Sequence, residues 1–431
     1  MKVVGIIAEY NPFHNGHYYQ IEYARTVLKA DAVIVVMSGN FVQRGEPALF
    51  DKYTRAHMAL LNGADMVLEM PVIASTSSAE VFAKCGINLL LSTGVVSDVI
   101  FGCEDESEQM FRGVARLLLE EPVRFKATLD AELRSGESFA KARAKAILSA
   151  WENEDERIVL SHFLSSPNNI LGIEYTKAIL ASQKKIQIHP LGRIGVSHDD
   201  LKFDGSYASA TFLRQTLTNE GASEMDIFSF VPKNCLDDIK IALKDKQWIA
   251  PDDISLLLHH KLLSGKDFSH YLDCSKDMSH QIINAIDSFI DFTRFCDLLK
   301  TKNLNHSRIR RVLTHIYLGI KDTDKTALEN CNFAPYLHIL GFTKRGAGLL
   351  NTIKNNPDQV PLFTSPMEAK EVLNQDQKII LKRDLDAADD YRILLTYKTR
   401  KTYPTEFTRK FIPHEDAEFV ALMSDINDGT I

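Results

Sequence analysis

The chain has 431 residues, of which 45% are hydrophobic and 25% charged, and it carries a net charge of −7. Those proportions are ordinary for a globular protein, and the length suits two or three domains. They exclude a globally basic nucleic-acid binder, so any RNA contact has to come from local patches. The six cysteines, Cys85, Cys103, Cys235, Cys274, Cys296 and Cys331, form no Cys-x-x-Cys pair and have no zinc-finger spacing. No His/Cys cluster points to a bound metal. No uninterrupted apolar stretch reaches the roughly 18 residues of a membrane span, and Met1-Lys2-Val3-Val4 does not open a signal peptide. The expectation is a reduced, cytoplasmic protein with no membrane contact.

The first apolar run, Val3 to Ala8, predicts a buried strand. Gly16 to Leu28 predicts a helix, with Tyr18, Ile21, Ala24, Val27 and Leu28 at helical spacing. His14-Asn15-Gly16-His17 therefore falls where a first strand turns into a first helix. At such a junction an α/β sheet offers free backbone N–H groups and the positive end of a helix dipole to a phosphate. Two imidazoles three residues apart can face the same anion, and Gly16 lets the backbone come close to it. The Gly-x-Gly-x-x-Gly and Gly-x4-Gly-Lys-Ser/Thr patterns are absent here, so neither a dinucleotide fold nor a P-loop fits better.

Strands are expected next at Ala32 to Met37, Asp65 to Glu69 and Asp98 to Gly102. Helices are expected at Asp51 to Asn62, capped by Asp51, at Ser77 to Leu91 and at Ser107 to Leu119. This alternation predicts an α/β fold with a Rossmann-like parallel sheet whose ligands bind at the carboxyl ends of the strands. Residues 120–165 read as a charged helical insertion. A fifth strand is expected at Ile186 to Leu191, then a polar loop, then a capped helix start in Ser206 to Arg214 that carries two hydroxyls and an arginine. Beyond residue 225 the pattern is mostly helical, turning mixed after 330. A boundary near 220 would divide a catalytic region, 1–220, from a mostly helical region, 221–431. Composition and spacing reach an ATP-using nucleotidyl transferase and no further. An adenylyltransferase for a small phosphorylated metabolite remains an alternative, although the long region after 220 argues against it. A non-catalytic nucleotide- and RNA-binding protein is another, opposed by the intact His14 and His17.

The strand–HxGH–helix start with a later hydroxyl-rich helix ending in Arg214 resembles the HxGH nucleotidyltransferase superfamily. Three longer blocks narrow the resemblance: Gly5 through His17, Met37 through Ala48, and Ser166-Pro167-Asn168-Asn169-Ile170-Leu171-Gly172. Together with Ser307 to Leu313 they resemble the bacterial tRNA(Met) cytidine acetate ligases, over nearly the whole chain. One loop departs from the family: Gly195-Val196-Ser197-His198-Asp199-Asp200 stands where Gly-x-x-Tyr-His-Asp is expected.

The resemblance implies that acetate and ATP form acetyl-adenylate, and that the acetyl group passes to N4 of the wobble cytidine of elongator tRNA(Met). It makes His14 and His17 catalytic. It lines the nucleotide with Ile7, Ala8, Glu9, Tyr10, Asn11, Pro12, Phe13, Asn15, Gly16, Tyr18, Tyr19 and Gln20. Gly102 would let the adenosine approach, Asn169 (or its neighbour Asn168) and Arg193 would contact it, and Ser209, Thr211 and Arg214 would hold the β- and γ-phosphates. Ser38, Asn40, Arg44, Lys52 and Arg55 are candidates for acetate or cytidine. Mg²⁺ is expected to accompany ATP, with Glu104 and Asp105 as candidate oxygen ligands. Two basic patches are candidates for tRNA: Lys300, Lys302, Arg308, Arg310 and Arg311, and then Lys398, Arg400 and Lys401 with Arg409, Lys410 and the aromatic Tyr397 and Tyr403.

Overall fold

A computed structural model describes residues 1–193, 208–218, 225–301 and 304–409. The expectations placed on Gly195 to Asp200, Ser206, Tyr207, Lys302 and Lys410, and the boundary near 220, lie outside the described residues.

Nine strands are described: β1 Val3–Ala8, β2 Ala32–Ser38, β3 Phe41–Val42, β4 Glu46–Pro47, β5 Met66–Met70, β6 Asp98–Cys103, β7 Gln187–Gly192, β8 Leu337–Phe342 and β9 Leu362–Phe363. Seven of them form one sheet in the order β7-β6-β1-β2-β5-β8-β9. The strands from β7 to β5 are parallel, with Val3 opposite Ala32 and Ala8 opposite Met37. The apolar runs are continuous because helices cover both faces of the sheet. Ile34 and Val36 join one core with Leu89 and Leu90 of the helix Ala79–Ser92. Val33 and Val35 join the other with Ile21 and Ala24 of the helix Asn15–Thr26 and Met58 of the helix Lys52–Leu61. Asp51 caps that last helix, accepting from the Tyr53 N–H at 2.9 Å and the Thr54 N–H at 3.2 Å. Helices Val123–Arg134, Phe139–Ala150 and Arg157–Ser165 occupy the expected insertion, and the helix Pro167–Ser182 leads from it to β7.

The sheet does not stop at residue 220. β8 runs antiparallel to β5, and β9 pairs parallel with β8. The region expected as mostly helical thus supplies two strands to the sheet. Leu337 to Phe342 is buried throughout, and so short a run carries no period that separates strand from helix. The strand order reverses between β1 and β6: the chain runs from β1 to β2 and β5 in one direction, then to β6 and β7 in the other. The crevice beyond the carboxyl ends of β1 and β6 is therefore the natural ligand site of this topology.

Candidate active site

β1 ends at Ala8, and the chain turns through Tyr10, in the left-handed region at φ 48°, and a cis Asn11–Pro12 bond into the helix Asn15–Thr26. His14 is the N-cap of that helix. Its Nδ1 accepts the Gly16 N–H at 3.0 Å, and the Nδ1 of His17 accepts the His14 N–H at 3.3 Å. The two rings stack with centroids 3.8 Å apart. A Cβ on Gly16 would stand 2.9 Å from His14 Cε1, so only glycine admits this stack without displacement. Burial, reinforced by the charges of Arg193 and Arg214, pushes the His14 pKa down to about 3. Burial and the His14 ring hold His17 well below the usual imidazole range as well. A neutral imidazole that accepts at Nδ1 carries its proton on Nε2. Both histidines therefore present an uncharged N–H donor to the cavity they line.

That cavity has a volume of about 280 Å³. The same cavity is bordered by the N-terminus of the helix Ala210–Thr218, where Ser209 Oγ accepts the Phe212 N–H at 3.1 Å. Ala208 to Thr211 line the cavity. Two positive helix ends thus meet at one crevice, a strong setting for an anion. Arg214 donates from Nη1 to the Asn11 carbonyl at 2.8 Å and from Nη2 to Thr211 Oγ1 at 3.3 Å. Its Nε lies 3.6 Å from Glu46 Oε1, and Arg310 binds the other oxygen of Glu46. A second cavity of about 440 Å³, lined by Arg44, Glu46, Thr211, Arg214 and Arg310, adjoins the first at Arg44 and Thr211.

A model of the HIGH Nucleotidyl Transferase family matches residues 1–406. A tRNA(Met) cytidine acetate ligase of Thermosipho melanesiensis is 33% identical over 439 residues, covering 96% of this chain and 100% of that protein. Another, from Caldanaerobacter subterraneus, is 36% identical over 399 residues, covering 92% and 96%. This chain belongs to the tRNA(Met) cytidine acetate ligase family. The crystal structure of apo Thermotoga maritima TmcAL matches its fold with a TM-score of 0.84 at 30% identity, over 93% of this chain and 96% of that one. The form bound with alpha-thio ATP matches at 0.81 and 31%, over 92% and 95%.

In this member of the ligase family, Ile7, Ala8, Glu9, His14, Gly16, His17, Tyr19 and Gln20 line the cavity, as do Arg44, Gly102, Arg193, Ser209 and Thr211. A Cβ on Gly102 would come no nearer than 3.7 Å to Arg193, so packing alone does not require glycine at this position of the lining. Other expected residues turn away. Tyr10, Asn11, Pro12 and Phe13 are buried, with the Tyr10 and Phe13 rings 4.8 Å apart in the core. Asn15 holds the Ser229 and Phe230 carbonyls at 2.9 Å, and Tyr18 faces outward. Arg214 lines the second cavity. Asn169 is buried and braces the turn after β6, its Oδ1 accepting the Glu104 N–H at 3.0 Å. Asn168 is the one of the pair that lines the cavity.

The group after β2 is corrected more strongly. Lys52 is 1% exposed and binds both oxygens of Glu69, at 2.8 and 2.7 Å, and Glu406 at 2.8 Å. Arg55 is 0% exposed and ties together the carbonyls of Glu9, Ser38, Gly39 and Phe50. Ser38 is buried, and Asn40 Oδ1 accepts the Lys52 N–H at 2.8 Å. Only Arg44 of the five reaches the cavity. Glu69, His338 and Glu406 bring three donor atoms within 4.8 Å of one another, but the Lys52 ammonium already supplies the cation there. Glu104 accepts from Asn168 Nδ2 at 2.6 Å and the Asn169 N–H at 3.2 Å, and Asp105 from the Ser107 N–H at 2.9 Å. These bonds tie both carboxylates to groups beside the turn after β6, and neither residue is among those lining the cavity.

The basic patches divide. Lys300, Arg400 and Lys401 are exposed, whereas Lys398 sits over the Trp248 ring and binds Asp253 at 2.7 Å. Arg308 is half-buried and donates to the Asp273 carbonyl at 3.3 Å. Arg310 belongs to the wall of the second cavity. Sequence reasoning missed Glu46, which links two arginines, as well as Gln43, Phe82, Phe101 and Tyr175 in the cavity lining. A lone glutamate in a hairpin gives no signal of its own, and the aromatics read as ordinary core.

Proposed function

We propose that ATP binds in the cavity beyond β1 and β6, that acetate attacks its α-phosphorus to give acetyl-adenylate and pyrophosphate, and that the acetyl group then passes to N4 of the wobble cytidine of elongator tRNA(Met). As a member of its family the chain is an ATP-dependent ligase that modifies tRNA. The observation that supports the mechanism best is the His14–His17 turn, with two neutral N–H donors stacked at a helix N-terminus beside the crevice. Acetate is a poor electrophile, and the lone pair of a cytosine amino group is delocalised into its ring. Adenylation supplies the leaving group that both need. Charge growing on the α-phosphate oxygens during attack would meet the Nε2–H of His14 and His17 and the helix dipole. Ser209, Thr211 and Arg214 would hold the β- and γ-phosphates. Mg²⁺ would be carried on the phosphates of ATP rather than in a carboxylate cage. An anticodon base is unpaired and can be splayed out toward the mouth of the cavity. A tRNA substrate implies action in the cytoplasm.

The test is purified protein with ATP, labelled acetate and elongator tRNA(Met), followed by nucleoside analysis. Pyrophosphate release should depend on acetate, and N4-acetylcytidine should require both ATP and acetate. Acetylation from acetyl-coenzyme A without ATP would overturn the mechanism and the roles of His14 and His17.

A further inference from the structure

In the transfer step the N4 lone pair bonds to the acetyl carbonyl carbon. The bond from that carbon to the adenylate oxygen breaks, and its electron pair leaves with AMP. N4 must also lose one of its two protons, and something in the cavity has to receive it. Among the described residues the titratable side chains lining the cavity are Glu9, His14, His17, Tyr19, Arg44, Tyr175 and Arg193. The two guanidiniums have no acceptor. A phenol ordinarily gives up its proton only near pH 10, and burial raises Tyr175 well above that. Each imidazole has its Nδ1 occupied by a backbone N–H and its proton on Nε2, so neither has an accepting nitrogen turned to the cavity. Glu9 remains.

We propose that Glu9 is the catalytic proton acceptor of the acetyl-transfer step and receives an N4 proton of the acceptor cytosine. The inference rests on the acetyl-adenylate reading above. Glu9 follows directly after β1, and its Oε1 is anchored by the Gln43 N–H at 2.8 Å, which leaves Oε2 for the substrate. Arg55 fixes its backbone carbonyl at 2.5 Å. Arg44, Arg214, Glu46, Arg55 and Tyr175 are the charged and titratable groups near enough to interact with it electrostatically. Burial raises its pKa above the ordinary carboxylate value, against the pull of the arginines. A carboxylate so placed holds a proton more readily than one in water, which suits it to accept one.

The two half-reactions can be read separately: acetate-dependent pyrophosphate release without tRNA, and acetyl transfer to tRNA in a single turnover. Glu9→Gln should lower the ratio of transfer to pyrophosphate release by about 10²–10⁴, the range for loss of a positioned general base. Glu9→Asp should recover part of that ratio. Wild-type transfer should decline toward acid with a one-proton slope that Glu9→Gln lacks. An unchanged ratio, or an equal fall in both half-reactions, would overturn the proposal, the second outcome assigning Glu9 to nucleotide binding alone. If the glutamine variant does not fold, the wild-type profile decides, since a transfer rate flat toward acid also overturns it. Wild-type protein that released no pyrophosphate with acetate would defeat the acetyl-adenylate reading, and the role of Glu9 with it.

Discussion

At the scale of single residues, the role proposed for the HxGH turn rests on two histidines held neutral by burial. Positive imidazoles would bind ATP more tightly, but they would do so equally in the ground state. Uncharged donors fixed by backbone hydrogen bonds strengthen as charge develops, which is what lowers a barrier. His14→Ala or His17→Ala should slow acetate-dependent pyrophosphate release by about 10²–10³, the usual loss for one such donor. Full activity in either variant would remove that histidine from the mechanism. The same burial makes the fold acid-sensitive. An unfolded chain binds a proton on His14 near the unperturbed value of about 6.5, whereas the folded chain resists until about 3. Stability is therefore complete above about pH 6.5 and is lost as pH falls through that window, with a slope of up to about 1.4 kcal/mol per pH unit for one proton. His14→Asn keeps a good capping side chain. Urea midpoints between pH 4 and 7 should fall less steeply in that variant, and an identical slope would show that His14 does not carry the effect.

At the scale of elements, the site depends on a small hairpin that local periodicity does not reveal. β3 and β4 are two residues each, and Gly45 turns between them at φ 73°. A Cβ there would lie 2.3 Å from the backbone nitrogen of Arg311, and Thr314 Oγ1 binds the Gly45 carbonyl at 2.8 Å. The hairpin is thereby pressed onto the helix His306–Leu318, which places Glu46 between Arg214 and Arg310. Gly45→Ala should cost on the order of 2 kcal/mol or more, from a left-handed backbone and an overpacked contact together. A denaturant midpoint within error of wild type would sink that account. Strands β1, β2, β5, β6 and β7 were legible because β-branched runs alternate with amphipathic helices, and His14 to His17 because they stand at the one junction where they make chemical sense. Lys52 and Arg55 escape a sequence reading for a physical reason. A cation after a strand looks the same in sequence whether it meets a substrate or is buried against carboxylates and carbonyls brought from elsewhere. Lys52 finds Glu406 across more than three hundred residues of chain, and no local pattern encodes that pairing.

At the scale of the whole molecule, the closing of the sheet by β8 and β9 ties the later half of the chain to the sheet that carries the candidate site, so basic residues close in sequence are put to different uses. Arg310 holds Glu46, which also faces Arg214, and Arg311 is held below its usual pKa by burial. Removing either charge leaves a buried partner or a packed void, and the damage should reach the adenylation step. Arg310→Ala should therefore slow pyrophosphate release even without tRNA. Lys300, Arg400 and Lys401 are a different case. They are exposed, and for Lys401 the nearest partner, Asp245 at 2.9 Å, makes a surface pair of small worth. Cations of that kind are suited to binding phosphates, which releases counterions and makes affinity depend on salt. Changing the three to alanine should weaken tRNA binding and flatten its dependence on salt by about one unit of slope for each phosphate left unneutralised. The melting temperature should hold, because the three side chains lie outside the core. The informative comparison is between the two variants in one binding titration across salt concentrations. If the surface triple variant keeps its affinity and slope, the RNA footprint lies on another face. If Arg310→Ala alone flattens the slope while leaving pyrophosphate release intact, its assignment to the wall of the nucleotide site is wrong and Arg310 belongs with the tRNA-binding cations instead.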